Sequence, residues 1–184
     1  GPAHLSVRVI RSPINEGFLA SANRGASEAS GEYIYFLNQD TQVRAGFLQH
    51  ALALMKHRAD AGCVVSKLIY PDGRLQEAGS ELRADGSAAN LGHGASPADY
   101  RFNHLRRVHY GSGAGLLVRR ALFEELGGFD RAFAPAYYED VDLQVRAAST
   151  KLTTAERKLA LDTLAFTQDT SAAQAMLAVA KDKA

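Results

Sequence analysis

The chain has 184 residues, of which 46% are hydrophobic, as expected for one domain with a buried core and a short appendage. Its 21 basic and 20 acidic residues nearly balance, so charge does not indicate a nucleic-acid partner. The single cysteine, Cys63, excludes an internal disulfide and favours a reducing compartment. No apolar run reaches the roughly 18 residues of a membrane-spanning helix, and no signal peptide is visible. These features predict a cytoplasmic globular protein.

The beginning of the chain, up to residue 37, has the pattern of a β-α-β unit. Residues 6–11 read as a strand that ends at Ser12-Pro13, and a helix rich in small residues runs to about residue 30. Residues 33–37 are all apolar or aromatic and predict a second strand that is buried on both faces. This order is typical of a parallel α/β sheet with flanking helices.

Three polar residues, Asn38, Gln39 and Asp40, follow directly after the buried strand. Ligands of open parallel sheets bind at the carboxyl ends of strands, where a carboxylate is well placed to hold a divalent cation. Magnesium binds one or two carboxylates together with substrate phosphates and water. A simple turn or helix cap formed by Asp40 explains the same residues without a ligand. This segment alone leaves both interpretations open.

The middle of the chain predicts a helix over residues 45–59 and a buried strand over 63–70. The Pro-Asp-Gly turn at 71–73 favours a hairpin with residues 74–78. Residues 79–105 lack periodicity and predict a long loop near a site.

Glycine occupies positions 111, 113 and 115, which allows the backbone to approach a ligand closely. The spacing matches neither a Walker loop nor the dinucleotide-binding fingerprint. His109 precedes these glycines; it either faces a site or is an ordinary structural histidine.

Three acids, Glu139, Asp140 and Asp142, lie at the start of a predicted helix. Acids at this position complement the helix dipole and cap free amides. The alternative interpretation is that one of them is a catalytic base, oriented by the first helical turn.

The domain boundaries predicted from the sequence divide the chain into three parts. Residues 1–5 read as a tag remnant or linker, 6–147 as the α/β domain and 148–184 as a helical tail. Two capping-box patterns, at Thr153 and Ser171, open helices in that tail, which would pack on the domain or on another chain.

Taken in order, a series of short segments resembles the family-2 glycosyltransferases of the GT-A fold between residues 7 and 146. The matching segments are Asn15-Glu16-Gly17-Phe18, Asn23-Arg24-Gly25, Gly31-Glu32-Tyr33, Leu37-Asn38-Gln39-Asp40-Thr41, Tyr70-Pro71-Asp72-Gly73, Gln76-Glu77-Ala78-Gly79, Gly113-Ala114-Gly115-Leu116-Leu117, Gly127-Gly128-Phe129-Asp130 and Tyr138-Glu139-Asp140-Val141-Asp142-Leu143. Each segment is common, but all of them in this order are specific.

The resemblance implies an inverting transfer of sugar from a nucleotide-diphosphate sugar to a glycan or lipid-linked acceptor. Asp40 stands at the family's Asp-x-Asp element, which implies binding of Mg²⁺ or Mn²⁺, although Asn38 replaces the first aspartate. The pair Glu139-Asp140 matches the family's Glu-Asp element, which makes Asp140 the candidate base. The resemblance further implies a set of substrate-binding residues, to which His109 is added for its position: Asn15, Gly17, Asn38, His109, Gly113, Ala114 and Gly115.

The chain departs from the family pattern at its start, because residue 6 corresponds to the family's third strand. The nucleotide-binding strands are therefore expected to be absent, and the isolated chain to be inactive or very weak. The sheet would then close the gap, leave an open edge, or borrow strands from a second copy or a partner domain. Two other functions stay open: a noncatalytic interaction or assembly module, and a nucleotidyltransferase of related fold. Relatives that act on lipid-linked acceptors suggest a peripheral position at the membrane.

Overall fold

A computed structural model describes residues 6–83 and 85–149 of the chain. The α-helices are α1 (Gly17–Ser27), α2 (Phe47–His57), α3 (Arg120–Glu125) and α4 (Glu139–Ser149). The strands are β1 (Tyr33–Leu37), β2 (Cys63–Val65), β3 (Leu68–Ile69), β4 (Leu75–Glu77), β5 (Ser80–Leu82), β6 (Ala88–Asn90) and β7 (Gly115–Arg119). Two short 3-10 helices cover Tyr100–Phe102 and Arg131–Phe133.

The main sheet has the strand order β1-β7-β2, with β7 antiparallel to both neighbours. Strands β1 and β2 therefore run in the same direction, and the segment that connects them contains α2. The predicted mostly parallel sheet is nevertheless not met in the described residues, in which every strand pair is antiparallel. The reason is that β7, from much later in the chain, lies between β1 and β2. An apolar run indicates burial on both faces but not which strand lies beside it.

The strand predicted over residues 6–11 is wrong. Val7 and Val9 are 76% and 71% exposed, and the segment has no strand structure. An alternating pattern forms a stable strand only where a neighbouring strand supplies hydrogen-bond partners. No described strand pairs with this segment.

The segment 63–70, predicted as one strand, is divided into β2 and β3. At the break, Ser66 remains attached to the main sheet through its N–H, which donates to the carbonyl of Gly115 at 2.9 Å. β3 then pairs with β4 across the predicted turn, in which Gly73 has φ +87°. That hairpin is confirmed, whereas the loop predicted over residues 79–105 contains a second hairpin, β5–β6, and a 3-10 helix.

The core lies on both faces of the main sheet. On one face, α1, α3 and α4 cover Leu116 and Val118, and three aromatic rings, those of Phe36, Phe123 and Phe129, pack with centroids 4.8–5.4 Å apart. On the other face, Leu117 packs against Ala51 and Met55 of α2. Burial on both faces explains the unbroken apolar run of β7.

The two helices predicted in the tail, and residues 1–5, lie outside the described residues. In the part that the structure describes, no helix has the length and apolar character required to cross a bilayer.

Candidate active site

The end of β1 and the start of β7 lie side by side, with Leu37 opposite Gly115 in the register. The N–H of Asn38 donates to the carbonyl of Ala114 at 3.3 Å, so Asn38 lies against residues 111–114, hereafter the glycine loop. The exposed Asp40 follows in the turn after β1. The antiparallel pairing therefore brings the polar end of the buried strand next to the glycines.

Asp140, in the first turn of α4, contacts the glycine loop directly. Its Oδ2 accepts the N–H of Gly113 at 2.8 Å, and its Oδ1 accepts the N–H of Val141 at 2.8 Å. Burial raises the pKa of Asp140 above the ordinary 3.8, although the N–H groups of Gly113 and Val141 act in the opposite direction. One oxygen thus bonds an amide of its own helix while the other bonds a different segment. Asp140 does more than a capping residue does, and a raised pKa suits a general base.

Gln144 and Glu77 hold the two amides that precede Gly113. The side-chain amide of Gln144 donates to the carbonyl of Gly111 at 2.7 Å and accepts its N–H at 3.0 Å. Oε1 of Glu77 accepts the N–H of Ser112 at 2.8 Å. The backbone of the glycine loop is therefore fixed to β4 and α4 by side chains.

Sequence reasoning missed both Glu77 and Gln144 as functional candidates. The signal for Glu77 was the alternation of β4, because Leu75 and Glu77 share one face and both are buried. The signal for Gln144 was its helical spacing from Asp140, which puts the two side chains on one face of α4.

Glu139 is 6% exposed, and its Oε2 is buried without a hydrogen-bond partner in the described residues. Burial raises its pKa above the ordinary 4.5, and the neighbouring charge of Asp140 adds to this. It follows Tyr137 and Tyr138, whose φ values of 82° and 67° are in the left-handed region. Such backbone conformations cost free energy for bulky residues and are frequent at functional sites.

Replacing Glu139 with Gln is expected to change the pH dependence of stability. Because its pKa is raised by folding, Glu139 favours the folded state below the ordinary carboxyl pKa. This contribution is lost as the pH rises through the folded-state pKa. As the pH rises from about 4 to about 8, the free energy of unfolding of Glu139→Gln should therefore increase relative to that of the wild type. Urea titrations at both pH values measure this, and a constant or opposite difference would contradict it.

Asp142, the third acid of α4, has a bracing role. Its Oδ2 accepts the Nε of Arg146 at 2.8 Å. The same guanidinium donates to the carbonyls of Leu126 and Gly128 at 2.8 and 2.9 Å. These contacts join α4 to the turn after α3 and so fix the helix that carries Asp140.

Asn15 and Gly17 lie at the start of α1, where the Oδ1 of Asn15 accepts the N–H of Gly17 at 3.0 Å. Gly17 packs against the loop before α4, since an added Cβ would lie 3.0 Å from the Cβ of Pro135. The exposed His109 is bound elsewhere, because its Nδ1 accepts the N–H of Leu82 at 2.9 Å. The substrate-binding roles of these residues stay predictions.

The residues at the end of β1 fit a hard divalent cation. In residues 6–83 and 85–149, no three His, Cys, Asp or Glu side chains come together as a metal cluster. However, Oδ1 of Asn38 is buried without a hydrogen-bond partner there, and Asp40 supplies an exposed carboxylate. Mg²⁺ and Mn²⁺ prefer oxygen donors, and Mg²⁺ commonly takes one or two carboxylates and completes its shell with phosphates and water. The donor set therefore suits a site that a substrate diphosphate would complete.

A family model described as glycosyl transferase family 2 matches residues 3–127. The chain belongs to glycosyl transferase family 2. The matched range contains Asn38, Asp40, Glu77 and the glycine loop of this family 2 domain, whereas Asp140 lies beyond it.

Three relatives are similar to this family 2 domain. The O-antigen biosynthesis protein RfbC of Myxococcus xanthus is 34% identical over 131 residues, which cover 67% of the chain and 10% of the relative. The uncharacterized protein y4gI of Sinorhizobium fredii is 32% identical over 149 residues, which cover 77% of the chain and 16% of the relative. The pre-mycofactocin glycosyltransferase of Mycobacterium tuberculosis is 27% identical over 142 residues, which cover 77% of the chain and 28% of the relative. The chain thus spans between 10% and 28% of the length of these relatives.

Proposed function

We propose that this family 2 domain transfers a sugar from a nucleotide-diphosphate sugar to a hydroxyl of a glycan or lipid-linked acceptor, with inversion at the anomeric carbon. The observation that carries the proposal is the pair of hydrogen bonds that hold the Asp140 carboxylate between the Gly113 and Val141 amides. Membership of family 2 supports the reaction class. Two relatives named for O-antigen biosynthesis and for pre-mycofactocin glycosyl transfer support the same class.

In this proposal Asp140 is the general base. It takes the proton of the acceptor hydroxyl as that oxygen forms a bond with the anomeric carbon, and the bond from this carbon to the diphosphate breaks with its electron pair leaving on the diphosphate. A single displacement of this kind inverts the anomeric configuration. The amides of Gly113 and Val141 keep the carboxylate oriented while burial keeps it basic. The reaction therefore requires a pH at which Asp140 is ionised.

Asp40 and Asn38 would hold Mg²⁺ or Mn²⁺ in this scheme. The cation, when bound, supplies positive charge to the leaving diphosphate. The contact of Asn38 with Ala114 keeps this end of β1 beside the glycine loop, so the donor end and the base end of the site share one backbone segment.

Calorimetric titration with UDP and with dTDP in the presence of Mn²⁺ tests the donor side of the proposal. We expect metal-dependent binding by the wild type and at least about a tenfold higher Kd for Asp40→Ala, because a ligand of the cation is lost. The matched control is Asp85→Ala, an exposed acid in the turn between β5 and β6, which should bind like the wild type. Absence of binding at millimolar nucleotide, or equal binding by Asp40→Ala, would contradict this metal-dependent nucleotide site.

A further inference from the structure

We propose that Glu77 is a positioning residue for the candidate base Asp140 and that it acts through the backbone of the glycine loop. The inference rests on the proposed function, because it assigns Asp140 the role of base. Glu77 lies on β4, in a hairpin outside the main sheet. The reaction scheme above gives its carboxylate no role.

Glu77 occupies a position where the strand pattern calls for an apolar residue. It is 3% exposed and shares the buried face of β4 with Leu75, which is fully buried. Burying an ionisable side chain is costly unless it is hydrogen-bonded, whereas an apolar residue would have no such cost. A carboxylate at this position provides hydrogen bonds that an apolar residue could not, one with the Ser112 amide and one with the side chain of Ser80.

The two carboxylates bind the N–H groups of two successive peptide units, which are linked through the Cα of Ser112. Ser112 and Gly113 are consecutive, and their amides donate to Oε1 of Glu77 and Oδ2 of Asp140, each at 2.8 Å. The Oγ of Ser112 also accepts the N–H of Ala114 at 3.1 Å, which restricts the backbone between Ser112 and Ala114. A displacement of the Ser112 amide would therefore move the Gly113 amide that holds Asp140.

The charge of Asp140 also affects the pKa of Glu77. Burial is the main cause of the raised pKa of Glu77, and the charge of Asp140 raises it further. The other titratable groups that interact with the pair are Glu139 from α4, which lies beside Asp140, and Tyr110 before the glycine loop, which interacts with both carboxyl groups. The pKa of Asp140 itself is raised by burial, and the hydrogen bond from the Gly113 amide acts in the opposite direction.

The experiment compares Glu77→Ala and Glu77→Gln with Leu75→Val, a control on the same buried face of the same strand. Amide hydrogen exchange at Gly113 and a carboxyl-carbon NMR titration of Asp140 are measured on the chain. The kcat and KM for UDP release from UDP-glucose are measured on the same variants, made in the longest natural protein that contains the chain.

We expect Glu77→Ala to speed exchange at Gly113 about tenfold and to lower kcat about tenfold with a smaller change in KM, because the Ser112 amide loses its partner. Glu77→Gln keeps an acceptor for that amide, so both Gly113 exchange and the pKa of Asp140 should stay at their wild-type values. Leu75→Val should leave both Gly113 exchange and the Asp140 titration unchanged.

The proposal is overturned if Glu77→Ala leaves Gly113 exchange unchanged. It is also overturned if Leu75→Val accelerates that exchange equally, because the effect would then come from loss of hairpin packing alone. A wild-type protein without turnover would count against the proposed function. The exchange and titration data would still decide whether Glu77 controls the position of Asp140.

Discussion

Replacing Asp140 with Asn is expected to lower kcat by about 10²–10⁴-fold while the domain stays folded, because this is the usual contribution of a general base. The asparagine Oδ1 can still accept the Gly113 N–H, so the glycine loop keeps its contact with α4. An amide cannot take the acceptor proton at neutral pH. We therefore expect KM to change much less than kcat.

Release of nucleoside diphosphate from UDP-glucose, UDP-N-acetylglucosamine and dTDP-rhamnose measures the effect, on the 184-residue chain and on the longest natural protein that contains it. Asp85→Asn is the matched control, because it makes the same chemical change in an exposed turn where Asn can also accept the N–H of Ser87. Turnover by Asp140→Asn within a few-fold of the wild type would exclude Asp140 as the base.

Replacing Arg146 with Met is expected to lower the free energy of unfolding by about 3–5 kcal/mol, as when one partner of a buried ion pair is removed. Asp142 is 5% exposed and would keep its charge without the guanidinium. The carbonyls of Leu126 and Gly128 would each lose a donor as well.

Urea unfolding at neutral pH measures this loss. Arg8→Met provides the matched control, because Arg8 and Glu28 form an ion pair whose side chains are 61% and 50% exposed. Exposed pairs contribute about 0–1 kcal/mol, so this variant should remain close to the wild type. Equal losses for Arg8→Met and Arg146→Met would show that burial of the Asp142 pair contributes no additional stability. A double variant in which Asp142 is also replaced by Leu should be more stable than Arg146→Met alone, because the uncompensated charge is gone.

The local elements were largely predictable, because their signals lie within a few residues of one another. The stretch of small residues up to about residue 30 predicted α1, and the Pro-Asp-Gly turn predicted the β3–β4 hairpin. The acids at the start of α4 were recognised, and the family resemblance singled out Asp140 as the candidate base, but the partner of each acid was visible only in the structure. Asp140 bonds the glycine loop, Asp142 bonds Arg146, and Glu139 is buried beside them.

By itself, the sequence determined that β1 is an apolar strand followed by Asn38 and Asp40, that glycines precede β7, and that acids open α4. It also carried the succession of motifs that indicates family 2. These features depend on side-chain size, charge and spacing along a short stretch of chain. Only the tertiary structure decided that β7 lies between β1 and β2, that residues 6–11 have no partner strand in the described residues, and that Glu77 and Asp140 hold adjacent amides of one loop. The physical reason is that packing between residues far apart in the chain selects strand neighbours and buried hydrogen-bond partners. Glu77 with Ser112 and Gly113 with Asp140 are two such pairs. No local pattern encodes that choice.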